Sequence, residues 1–72
     1  MTDKVLRNGA RIARYDAVEM PDHAYEAQVF VRLTREPEIA ETYIPAGIYP
    51  TEQEALAGAR ERARRALIEG EF

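Results

Sequence analysis

Residues 50–70, PTEQEALAGARERARRALIEG, carry the period of a helix, and the 49 residues before them do not. One helix at the far end of a short chain must lie on something, and here that is a sheet. Thr51 is an N-cap type with Glu54 three residues on. That spacing predicts a capping box, in which each side chain reaches back to the other residue's backbone N–H. Pro50 stands just outside, where it breaks no helical bond. Glu52 and Glu54 suit the positive end of the helix dipole, and Gly70 suits a left-handed C-terminal cap. A helix is expected over residues 51–69. Leu56, Ala59, Ala63, Ala66 and Leu67 fall on one stripe, with Ala55 at its edge. Small side chains there let the helix axis approach the sheet closely. Arg60, Arg62, Arg64 and Arg65 read as a solvated face, with Glu61 pairing to Arg65.

A chain of 72 residues makes a single small domain that buries only about 60% of its unfolded surface. Its 32% charged and 46% hydrophobic residues fit a globular chain, not a disordered one. With no cysteine there is no disulfide or thiolate chemistry, which agrees with a reducing, cytoplasmic setting. No apolar run approaches a membrane span. A net charge of −3 argues against non-specific binding to a polyanion.

Asn8-Gly9 is a turn signal, the preferred pair of a type I′ hairpin. Either it joins a short strand at residues 5–7 to a longer one, or it is only the loop before the first strand. One main strand is expected over residues 10–20, with a bulge to reconcile its poor alternation. Pro21-Asp22-His23 reads as a turn. Residues 25–34 give the clearest strand. Tyr25, Ala27, Val29, Val31 and Leu33 alternate with Glu26, Gln28, Phe30, Arg32 and Thr34. A turn at residues 35–38 precedes a third strand at residues 39–44, which Pro45 ends or holds at a sheet edge. Ile48 and Tyr49 are expected to plug the corner between sheet and helix. Short connections make consecutive strands antiparallel neighbours. The expected fold is α+β: a three-stranded antiparallel meander with the helix across one face (βββα).

No motif for chemistry emerges. His23 and Asp22 alone make neither a metal site nor a catalytic pair. There is no serine or cysteine nucleophile, and the four glycines are isolated, so no phosphate loop forms. The chain is therefore expected to be no enzyme, with no catalytic, cofactor-binding or metal residues.

Tyr25, Ala27, Thr51, Glu54 and Ala55 carry a resemblance to small uncharacterised bacterial proteins of three-strand-plus-helix type. Gln53 replaces the first of that family's paired glutamates. The resemblance implies a fold and no function. The element order also resembles the three-stranded DNA-reading domains of integrase amino-termini and plant ethylene-response factors. Those bind through a sheet face rich in Arg, Lys and Trp; this chain has no Trp.

Two function classes follow. The first is a non-enzymatic module that binds a protein partner or forms a homodimer. Its candidate surface is Gln28, Phe30, Arg32 and Thr34, on the face the helix leaves bare. A second candidate surface is an outer helix stripe of Ala57, Gly58, Glu61 and Ile68, where Gly58 lies mid-helix and Ile68 is otherwise unexplained. The other class is a nucleic-acid-binding domain using Arg11, Arg14 and Arg32, or the arginines of residues 60–65.

Overall fold

The computed structural model describes residues 4–33 and 41–69. Four strands, β1 (Val5–Asn8), β2 (Arg11–Glu19), β3 (Tyr25–Leu33) and β4 (Thr42–Tyr49), precede one helix, α1 (Glu52–Glu69). The strands form a single antiparallel sheet in chain order. The α+β class and the meander are as expected, but the strand count is four, not three. Thr34, the turn at residues 35–38, the expected strand start at Ile39, the Gly70 cap and Phe72 lie outside the described residues.

The added strand is β1, the short-strand alternative at residues 5–7, and it extends to Asn8. Asn8 pairs with Arg11, so the hairpin loop is Gly9-Ala10, not Asn8-Gly9. Gly9 has φ +63° and Ala10 does not share the left-handed region. Glycine at the first central position, with positive φ there alone, is the type II′ pattern and not the type I′ pattern that Asn-Gly suggests. Asn8 instead donates from Nδ2 to the Leu67 carbonyl at 3.3 Å, tying the hairpin to the end of α1.

The third expected strand also differs. It runs on through Pro45 to Tyr49. Pro45 is tolerated because, among the described residues, β4 is an edge strand paired with β3 alone. Between Glu26 and Gln28 the register shifts: Gln28 faces Pro45 but Glu26 faces Ile48. Gly47, at φ +100°, supplies the left-handed residue of this bulge. The extra residue switches the alternation, turning Tyr49 toward the helix and Ile48 away. Ile48 is 60% exposed and does not plug the corner; Tyr49 does.

The core lies between the sheet and α1. Ala13, Tyr15, Ala27, Val29, Val31 and Ile44 meet Ala55, Ala59, Ala63, Ala66 and Leu67. The alanine stripe and Tyr25, Ala27, Val29 and Val31 of β3 behave as their spacing predicts, while Leu33 is half-buried and not part of this core. Leu56 is only half-buried, and Ala55 takes the core position instead. The Glu54 N–H donates to Thr51 Oγ1 at 3.2 Å, the expected cap, while the hydroxyl donates to Glu54 Oε1 at 3.1 Å. At the other hairpin, the Ala24 N–H donates to Asp22 Oδ1 at 3.2 Å and His23 takes φ 69°.

Candidate interaction surface

The open sheet face is read from the register. Residues of β2 and β3 that do not point to α1 are Ile12, Arg14, Asp16 and Val18, opposite Arg32, Phe30, Gln28 and Glu26 respectively. Tyr43 of β4 lies across from Phe30 on its other side. Among the described elements, the one helix lies on the opposite face. Gln28, Phe30 and Arg32 therefore share this face, as expected, and each is half-buried.

Phe30 is not bare. The Arg14 guanidinium stacks over its ring at 4.3 Å, and the Tyr43 ring tilts against it with centroids 5.3 Å apart. Such contacts contribute about 0.5–1 kcal/mol each where solvent reaches them. Arg14 is held in place by Glu41, with Nη2 donating to Oε1 at 2.8 Å. That hydrogen bond raises the pKa of Arg14 and lowers that of Glu41, in both cases against a smaller effect of burial. Burial raises the Tyr43 pKa, and the nearby Glu26 carboxylate raises it further. Glu26 also accepts from Gln28 Nε2 at 3.0 Å. Asp16 pairs with Lys4 at 3.0 Å. Burial pushes the Asp16 pKa up, but the Ala17 N–H and Lys4 together bring it below its ordinary value.

The face is thus an aromatic pair under an arginine, rimmed by charged and amide groups. Ile12 is buried on it, with Arg7 and Arg32 directly opposite in the two ladders. Arginine stems in those positions can shield an apolar neighbour. Tyr43, Val18 and Ile48 remain exposed. Of these contributors, sequence reasoning placed Phe30 but could not fix Tyr43 or Glu41. Their position follows from the β3–β4 register, which no local pattern shows.

The second candidate surface does not hold together. Ala57, Glu61 and Ile68 are exposed along one line of α1, with Ile68 at 63%. Gly58 lies off that line and faces Tyr49 of its own chain. A Cβ at Gly58 would fall 2.9 Å from Tyr49 Cε2 and 2.5 Å from Cζ, well inside van der Waals contact. Gly58 is therefore neither an exposed site nor open to a second chain; it makes room for the Tyr49 ring. Tyr49 Oη donates to the Ala46 carbonyl at 3.2 Å, closing one side of a cleft shared with Arg62 and Arg65.

Two of the helix arginines, Arg64 and Arg65, are engaged with carboxylates. Arg64 Nε donates to Glu61 Oε2 at 3.0 Å, and Arg65 approaches Glu69 at 3.8 Å. Glu61 thus pairs at i,i+3 with Arg64, not at i,i+4 with Arg65. Among the described residues, no three His, Cys, Asp or Glu side chains gather as a metal site, and no helix is long and apolar enough to cross a membrane.

Compared with protein-family models, with curated proteins and with solved structures, the chain gives no match.

Proposed function

We propose that this domain is a non-enzymatic interaction module that docks through its open sheet face, on a second copy or on another protein. The observation that carries this reading is the Phe30–Tyr43 pair clamped by Arg14 on a face that α1 does not cover. An aromatic centre with Arg beside it and a polar rim is the composition of a small protein interface. A domain of this size also gains stability from any partner that binds only the folded state. The proposed setting is the cytoplasm of a bacterium, in line with the absence of cysteine and the abundance of arginine and alanine.

The nucleic-acid reading has less support. Arg14, Arg64 and Arg65 are each paired with a carboxylate, and the net charge is −3. A phosphate would have to displace those carboxylates.

Phe30→Ser tests the proposal. It should leave the circular dichroism spectrum unchanged, and lower the solution mass or abolish retention of a partner. A wild type that is monomeric at high concentration and retains no partner contradicts it.

A further inference from the structure

The open face of the two central strands has a symmetry of its own. Along β2 it reads Ile12, Arg14, Asp16, Val18: apolar, positive, negative, apolar. Reversed, it has the same order with the charges exchanged. Along β3 it reads Arg32, Phe30, Gln28, Glu26: positive, aromatic, amide, negative. Reversed, its charges exchange in the same way. The two strands share one centre, because Arg14 pairs with Phe30 and Asp16 with Gln28.

A surface of this kind is complementary to itself. We propose that the occupant of the open face is a second copy of the chain, stacked face to face about a twofold axis that runs across the strands. The inference rests on the reading that this face docks at all. Rotation about that axis lays β2 on the partner's β2 and β3 on its β3, each running in reverse. Arg32 then meets the partner's Glu26, Arg14 its Asp16, and Ile12 its Val18. Phe30 lies over Gln28. Rotation about an axis along the strands instead lays β2 on β3. Arg32 then covers Ile12 and Glu26 covers Val18, burying both charges without an opposite charge to meet. Charge complementarity selects the first arrangement, and its twofold axis closes the assembly at two copies.

Arg32 and Glu26 are the pair to test. Arg14 and Asp16 already hold intrachain partners in Glu41 and Lys4. Arg32 has no hydrogen bond or ion pair among the described residues, although the Glu41 carboxylate lies close enough to feel its charge. Glu26 accepts from Gln28 and keeps acceptor capacity. Four strands spaced about 4.8 Å apart, over about 20 Å of strand length, offer roughly 400 Å² of flat surface per copy. That is small for a specific interface, so the dimer is weak and appears only at high protein concentration.

The experiment uses the full chain at millimolar concentration, with sedimentation equilibrium as the readout and circular dichroism to confirm folding. Wild type is expected to dimerise. Arg32→Glu and Glu26→Arg each set two like charges against each other and should weaken the dimer by about tenfold or more. Mixing the two variants restores both contacts, as does the double variant R32E/E26R, and both should return to wild-type association. That rescue shows that loss in the single variants is not misfolding. Three outcomes overturn the inference. A monomeric wild type removes the second copy as occupant, leaving the face to be judged by Phe30-dependent partner retention. A dimer lost in Phe30→Ser but indifferent to the charge swaps, or not rescued by mixing, keeps the face and rejects the arrangement. A dimer indifferent to both kinds of variant lies elsewhere and rejects the face reading too.

Discussion

Gly58→Ala puts the packing of sheet on helix to a quantitative test. A glycine in a helix interior is about 1 kcal/mol less favourable than alanine, so helix propensity alone makes the substitution stabilising. The structure adds an opposing contribution. The new Cβ occupies the space of the Tyr49 ring, with Cζ 2.5 Å away, so the ring must swing off the helix. Swinging off breaks the Tyr49–Ala46 hydrogen bond, worth about 1 kcal/mol net. It also exposes part of a ring packed against the core, at roughly 25 cal/mol per Å², or about 1 kcal/mol for some 40 Å². The losses total about 2 kcal/mol and the gain about 1 kcal/mol, so Gly58→Ala should destabilise the domain by about 1 kcal/mol. In a Tyr49→Leu background the obstructing atoms are gone, and the same substitution should stabilise by about 1 kcal/mol. Urea unfolding of the four proteins gives the cycle, with an expected coupling of about 2 kcal/mol. Equal stabilisation in both backgrounds would refute the reasoning, since it would mean that Tyr49 does not occupy the notch.

Two further effects follow from the same structure. Thr51→Ala removes the acceptor of the Glu54 N–H and should lower stability by about 1 kcal/mol, seen as a lower urea midpoint with unchanged slope. Glu41 and Asp16 both titrate below their ordinary values in the folded chain. The unfolded chain therefore binds their protons first as pH falls. Their contribution is fully present above the ordinary carboxylate range near about pH 4, and is lost as pH drops through the lower folded values. Arg14→Gln should flatten this acid limb of a melting-temperature profile, because Arg14 is the main cause of the Glu41 shift.

The parts of the fold that were readable from sequence are those set by local pattern. Thr51 and Glu54 mark a helix start, the alanines at 55, 59, 63 and 66 mark its inner stripe, and β3 alternates without interruption. β1 was one of two alternatives at the Asn8-Gly9 turn, and local pattern could not select it, because only one of its residues, Leu6, packs against the core and one residue makes no period. The bulge at Gly47 hid the roles of Ile48 and Tyr49, because it inserts a residue and inverts the alternation that sequence reading relies on. Gly58 looked exposed because its reason lies on β4, not in the helix. For the candidate surface, the sequence placed Phe30 on the face away from α1. Its neighbours Arg14 and Tyr43 come from other strands, and only the register brings them to it.

The open face can be tested directly by recording backbone amide chemical shifts of the wild-type chain from dilute to millimolar concentration. Concentration-dependent shifts are expected at Arg14, Gln28, Phe30, Arg32 and Tyr43, with the outer helix positions Ala57, Glu61 and Ile68 unmoved. Shifts confined to α1, or a spectrum that does not change with concentration and does not respond to any protein partner, would contradict it.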